Sequence, residues 1–116
     1  MGQLSTHVLD TARGRPAAGL EVQLWRVSGE ARARLSLTTT NEDGRTDAPL
    51  LEGDAFSAGV YELEFGAGPY LRQHFALPDP LFLDRVIVRF GVSDADTRYH
   101  VPLLLTPYGY STYRGS

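Results

Sequence analysis

The sequence predicts an all-β fold, an antiparallel sandwich, and two observations carry this prediction. Apolar and polar residues alternate with a period of two along several short runs, which is the pattern of strands that bury one face. Turn signals separate these runs at regular intervals, as they do in sandwiches of short strands. These signals lie at residues 13–16, 28–29, 41–44, 66–69, 78–80 and 106–107.

The runs can be assigned to seven or eight strands in chain order. The clearest reads RARLSLTTT, in which Ala33, Leu35 and Leu37 alternate with polar residues as in a half-buried strand. The last two runs are rich in β-branched and aromatic residues, which favour strands. The runs are residues 4–10, 20–24, 32–40, 61–65, 85–92, 99–106 and 108–113.

Residues 69–75 do not follow the period of two. Pro69 suits the first turn of a helix, and Leu71 and Phe75 are four residues apart, so they would share a helical face. We therefore expect one short helix here. Since 116 residues can bury one modest core and not two, we expect a single domain over residues 1–116.

The composition excludes several kinds of chemistry. The chain has eleven Arg, no Lys and fourteen acidic residues, with a formal net charge of -3, and it has no Cys. Without Cys there is no disulfide, no thiolate zinc site and no cysteine nucleophile. Without Lys there is no Schiff base. The mildly acidic balance argues against binding to nucleic acid.

Neither a membrane span nor a targeting segment is visible in the sequence. No run reaches the roughly 18 apolar residues that a spanning helix needs, and the first ten residues lack the basic and apolar regions of a signal peptide. We therefore expect a cytoplasmic protein that has no contact with a membrane.

The three histidines are the first candidates for catalysis. The period of two places His7 and His100 on the strand faces opposite their apolar neighbours, whereas His74 falls in the predicted helix. An isolated His on a strand is more often structural than catalytic, so the pattern alone leaves their roles open. No two His have the spacing of metal ligands, and Asp94 and Asp96 are more simply part of a loop.

Four segments together resemble a known family. Residues 4–10 read LSTHVLD, residues 40–45 read TNEDGR, residues 100–105 read HVPLLL ahead of PYGY, and residues 113–116 read YRGS. This ordered set is similar to the signatures of the 5-hydroxyisourate hydrolases, also called transthyretin-related proteins. The resemblance spans nearly the whole chain.

The resemblance implies a transthyretin-like (prealbumin) sandwich of two four-stranded sheets with one short helix. It also implies a homotetramer, a dimer of dimers whose active sites line a channel. The implied reaction, part of urate degradation in purine metabolism, opens the six-membered ring of 5-hydroxyisourate. The product is 2-oxo-4-hydroxy-4-carboxy-5-ureidoimidazoline, and no metal or organic cofactor is needed.

The resemblance also assigns roles to seven residues. A neutral imidazole suits a general base near pH 7, and we expect one His to take the proton of water. The other would orient the water or protonate the departing nitrogen, and which does which stays open. Guanidinium groups would hold the anionic substrate and stabilise the developing oxyanion. The catalytic positions are His7, His100 and Ser116, and the substrate-binding positions are Arg45, Tyr113, Arg114 and Gly115.

Two other functions fit the same fold class. A transthyretin-like protein would bind and transport a small ligand without catalysis, but the YRGS ending and the paired His would not be expected there. An immunoglobulin-like interaction module would not explain a His on both strands. The sequence favours the hydrolase.

Overall fold

The computed structural model describes residues 2–115 and shows two β layers that face each other across one core. Strands are the main regular elements of this part of the chain, with one 3-10 turn at Gly53–Ala55 and one α-helix, α1, at Ala67–His74. The strands are β1 Gln3–Ser5, β2 Val8–Asp10, β3 Arg15–Pro16, β4 Glu21–Ser28, β5 Ala31–Thr39, β6 Leu51–Glu52, β7 Gly59–Gly66, β8 Arg85–Val92, β9 Arg98–His100, β10 Leu103–Thr106 and β11 Gly109–Thr112.

The first layer is a four-stranded antiparallel sheet with the order β5-β4-β7-β8. Its inner face supplies much of the core through fully buried residues of β4 and β7, among them Leu24, Leu63 and Phe65. Burying side chains of this size contributes about 1.5–3 kcal/mol each. The predicted all-β class with one helix is confirmed.

The second layer differs from the predicted four-stranded sheet because it is interrupted. It consists of a three-stranded sheet, β6-β1-β9, and a four-stranded sheet, β11-β10-β2-β3. The interruption falls at Thr6–His7 and Val101–Pro102. Two backbone hydrogen bonds still cross it, from the Val101 N–H to the Ser5 carbonyl oxygen and from the Leu103 N–H to the His7 carbonyl oxygen, each at 2.9 Å. The buried Thr6 hydroxyl also donates to the Val101 carbonyl oxygen, at 2.7 Å. The two sheets therefore continue one layer across a local break.

The prediction of an antiparallel sandwich is also wrong for this second layer. Strand β1 pairs with β9 in parallel, and β2 pairs with β10 in parallel. The period of two identifies strands and their faces but carries no information on strand direction. Both pairs have the same sequence offset, so the register is kept across the break. The first two strands of the chain, β1 and β2, thus lie beside β9 and β10 near its end.

The alternation in β5 identifies a strand but not which of its faces is buried. Thr38 lies opposite Val22 and Ser36 opposite Leu24, so these polar residues share the core side of the sheet. Leu37 lies opposite Gln23 on the outer side and is 51% exposed. Since β5 is an edge strand, its polar face meets only the margin of the core, and the leucines stay outside.

Helix α1 confirms the short predicted helix, displaced slightly toward the N-terminus. It ends at His74 because Phe75 adopts an extended conformation. The buried Tyr70 anchors the helix to β2 by donating its hydroxyl to the Asp10 carboxylate at 2.6 Å. Burial and that carboxylate raise the pKa of Tyr70 to about 12. The ring of His74 packs on Tyr70 at 4.6 Å, which indicates a structural role.

Arginine side chains cover the outer face of the first layer. Two carboxylates of β7, Glu62 and Glu64, are buried on that face. Arg32 of β5 crosses β4 over the Trp25 ring, 3.8 Å from its centroid, and binds both carboxylates. Arg85 and Arg89 of β8 bind them from the other side. Several of the eleven Arg therefore hold strands together, which a planar group with several donors does well.

Across residues 2–115, no helix is long and apolar enough to cross a membrane.

Candidate functional site

The candidate site begins with the alternation of residues in β1 and the segment that follows it. Leu4, Thr6 and Val8 are buried in the core, so the side chains between them, including Ser5 and His7, face outward and are half-buried. In β9 the ring of Tyr99 is buried, and His100 faces outward in the same way. The structure thus places both His on the outer face of the second layer, as predicted from the period.

Strand pairing brings these side chains together. Ser5 lies directly opposite His100 in the parallel β1–β9 pair. His7 forms an isolated antiparallel bridge with Arg45, and His100 forms another with Gly115. The Gly115 N–H donates to the His100 carbonyl oxygen at 2.7 Å. Four predicted site residues are therefore neighbours on one surface, although they come from both ends and the middle of the chain.

The turn at residues 41–45 fixes one edge of His7. The Nε2 atom of His7 lies 2.7 Å from the Asp43 carbonyl oxygen. Because a carbonyl oxygen can only accept, Nε2 must carry a proton. The neutral ring therefore has its lone pair on Nδ1. The carbonyl oxygen of the next residue of the turn, Gly44, accepts a hydrogen bond from the Val8 N–H. The turn therefore contacts both the His7 ring and the backbone of the residue that follows it.

His100 is held in a different way. Its Nδ1 atom lies 2.9 Å from the Ser5 hydroxyl oxygen. Loss of hydration on burial lowers the pKa of His100 below the ordinary 6.5, and the positive charges of Arg45 and His7 lower it further. His100 is therefore neutral at pH 7, which is the form that a general base requires.

A polar cleft of about 340 Å³ opens beside His100. Its lining includes two guanidinium groups, Arg45 and Arg98, together with neutral polar side chains and His100. Guanidinium groups present planar arrays of donors that suit carboxylates, enolates and other oxygen-rich anions. The cleft is therefore suited to a small anionic ligand with several carbonyl oxygens. The remaining lining residues are Gln3 and Ser5.

Arg114 and Tyr113 face a different opening in this single chain. The Arg114 guanidinium lies over the Tyr99 ring, 3.9 Å from its centroid, and donates to the Thr97 hydroxyl and the Arg98 carbonyl oxygen. Tyr113 is 57% exposed and lines, with Arg114, a mostly apolar cleft of about 250 Å³ between the layers. Ser116, also predicted to be catalytic, lies outside the described residues.

Three residues of the cleft were not predicted as site residues: Gln3, Ser5 and Arg98. Each lies two or four positions from a predicted His on the same strand face, so the period of two contained the signal. The pairing of β1 with β9 was also needed, because it places Gln3 opposite Arg98 and so brings the two strands' outer residues into one cleft. In the part of the chain that the structure describes, no three His, Asp or Glu side chains gather as metal ligands would.

Comparison with known proteins finds matches over nearly the whole chain. The family model described as the HIUase/Transthyretin family matches residues 4–115. A protein of Rhizobium meliloti named 5-hydroxyisourate hydrolase 2 is 60% identical, over 99% of this chain and 97% of its own length. These matches confirm the predicted resemblance and the predicted enzyme class, a hydrolase.

Two solved structures show the same fold. The 5-hydroxyisourate hydrolase of Klebsiella pneumoniae is 35% identical over the full length of both chains, with a TM-score of 0.81. The structure of (S)-allantoin synthase is 41% identical with a TM-score of 0.93; the match covers 99% of this chain and 44% of that one. The transthyretin-like fold class is thereby confirmed.

Proposed function

The chain belongs to the HIUase/Transthyretin family, and on that basis we propose that it hydrolyses 5-hydroxyisourate. The observation that carries the proposal is the meeting of His7, His100 and Arg45 on one surface beside a cationic cleft. Imidazole and guanidinium are the groups that hydrolysis of an anionic cyclic amide needs. A transport protein needs the guanidinium groups for an anion, but it has no use for an imidazole that acts as a general base.

The reaction adds water across a C–N bond of the six-membered ring. One His takes a proton from water as the oxygen attacks the ring carbonyl carbon. The carbonyl oxygen gains negative charge, which Arg45 stabilises. The C–N bond then breaks, and the nitrogen receives the proton taken from water and becomes part of a ureido group. The carbonyl becomes a carboxylic acid, which loses its proton to solvent and is left as a carboxylate. The product is 2-oxo-4-hydroxy-4-carboxy-5-ureidoimidazoline.

Several features of the cleft support this sequence of steps. The lowered pKa of His100 keeps its ring neutral at pH 7. The bridge between His7 and Arg45 places a base and a cation side by side. We assign Tyr113, Arg114, Gly115 and Ser116 to the same substrate site in the assembled protein, which we propose is a homotetramer. The edge strands β8 and β11 and the exposed Tyr110 and Tyr113 are suited to contacts between copies.

A coupled assay tests the function directly. Urate oxidase generates 5-hydroxyisourate in the cuvette, and its disappearance is followed with and without this protein. We expect a clear acceleration over spontaneous decay. Binding of the substrate without acceleration would instead support the transport function.

The pH dependence should report the lowered pKa of His100. Only the neutral ring can accept a proton, so kcat/KM should be level near pH 8 and fall as the pH is lowered through an apparent pKa below 6.5. Arg45→Gln removes a nearby positive charge, so the inflection should move to higher pH even though the rate is lower. Arg34→Gln, on exposed β5 of the other layer, is the matched control. A wild-type inflection above 6.5 would contradict this assignment.

A further inference from the structure

The hydrogen bond between Ser5 and His100 suggests a role for Ser5, which lies in the first family motif but is not among the seven residues given a role above. The Ser5 hydroxyl oxygen lies 2.9 Å from Nδ1 of His100. The two residues are direct Cα partners in the parallel β1–β9 pair, so their side chains leave the same face side by side. The contact thus follows from the strand register, and both side chains line the cationic cleft.

The opposite edge of the His100 ring is also confined. Gly115 lies so close that an added Cβ would be 2.9 Å from Cδ2 of His100. The ring therefore lies between the Ser5 hydroxyl and the backbone of Gly115. Nδ1 and Cδ2 flank the ring atom that joins the side chain, so the atoms left free are Cε1 and Nε2. Nε2 is thus the nitrogen of His100 that a substrate can reach.

We propose that Ser5 is a positioning residue that accepts the Nδ1–H of His100 and so leaves the lone pair on Nε2. The cleft favours this direction of the hydrogen bond because Arg45 and Arg98 line it. An N–H dipole at Nε2 would turn its positive end toward these cations, whereas a lone pair turns its negative end toward them. The partner of one ring nitrogen then determines the state of the other.

This inference rests on the proposed function and assigns the general base within it. Nε2 of His100 takes one proton from water while the remaining hydroxide bonds to the ring carbonyl carbon. His100 is then an imidazolium whose Nδ1–H still donates to Ser5. When the C–N bond breaks, Nε2 returns the proton to the departing nitrogen, so protons balance. His7, whose Nε2–H is bound by the Asp43 carbonyl, is left to orient the water through Nδ1.

Nitrogen-15 NMR of the histidine side chains reads the tautomer without any substrate. At pH 8 the wild-type protein should show His100 protonated at Nδ1 and bare at Nε2, with the signals assigned by comparison with His100→Gln. In Ser5→Ala the two tautomers should become mixed, and in Ser5→Thr the wild-type state should return. A wild-type ring protonated at Nε2 overturns the proposal.

Kinetics supply the second test. A misplaced base costs about 10²-fold in rate, so Ser5→Ala should lower kcat by about 10- to 100-fold while KM changes by less than about threefold. Ser5→Thr should restore most of kcat, and Ser28→Ala, exposed at the end of β4, is the matched control. A Ser5→Ala enzyme with wild-type kcat overturns the proposal. If the wild-type protein shows no hydrolysis at all, the proposed function fails, while the NMR result still decides the role of Ser5.

Discussion

His7→Ala and His100→Ala should each lower kcat/KM for 5-hydroxyisourate by about 10²- to 10⁴-fold, because His100 is the proposed general base and His7 orients the water that it deprotonates. His7 is bound to the 41–45 turn and His100 to Ser5, so the two rings are held independently but face the same substrate. We expect them to act as a unit in one chemical step. The double variant should therefore be no slower than the slower single variant.

The control for this pair is the third histidine. His74→Ala removes a ring that packs on Tyr70 in α1 and lines a separate cleft, so kcat/KM should stay within about twofold of wild type. Circular dichroism and light scattering show whether each variant keeps its fold and its oligomeric state. Effects of the two active-site substitutions that simply multiply would contradict a shared step.

Gly44→Ala should both destabilise the protein and abolish most of its activity. Gly44 has a φ of 76°, which costs an L-residue about 1–2 kcal/mol. In addition, its Cβ would collide with the backbone carbonyl oxygen of Val8 and approach the His7 ring. Because the turn must shift, both the Asp43 carbonyl and Arg45 move away from His7. We expect the free energy of unfolding to fall by more than about 2 kcal/mol and kcat to fall about 10²-fold or more.

Gly29→Ala separates the cost of the left-handed φ from the effect of the Cβ collision. Gly29, in the turn between β4 and β5, also has a left-handed φ, 60°, but an added Cβ would meet no atom of the described residues within 4 Å. It should therefore lose only about 1–2 kcal/mol of stability and keep its activity. Denaturant unfolding and the coupled assay measure both quantities. If Gly44→Ala behaves like Gly29→Ala, the turn does not hold the site.

The sequence predicts the strands of the first layer because each run alternates along its own length, although only β4 and β5 are joined directly by a turn. Alternation along β4 and β7 identifies both strands, and the core residues Val22 and Leu24 follow from it. Burial in β5 could not be predicted, since alternation defines two faces and only the register with β4 selects one. The same limit explains the parallel pairs, whose partners are far apart in sequence.

Only part of the candidate site could be predicted, because alternation within a strand does not show which strands pair. His7 and His100 could be placed on an outer face from their own neighbours, and the structure agrees. Ser5 and Arg98 became candidates only when β1 was seen beside β9. The tautomer of His7 depends on a backbone carbonyl, that of Asp43, which any residue could supply. No side-chain pattern encodes such a contact.

The parallel pairing of the first strands with the last has a consequence for synthesis on the ribosome. Translation produces β1 and β2 first, yet their partners β9 and β10 emerge only after the whole first layer has been made. Until then β1 has only β6 beside it and β2 has only β3, so each strand lacks its parallel partner. His7 is thus among the first residues made and among the last to reach its working position. A translation product that stops before β9 therefore holds His7 without His100 or the YRGS segment at residues 113–116.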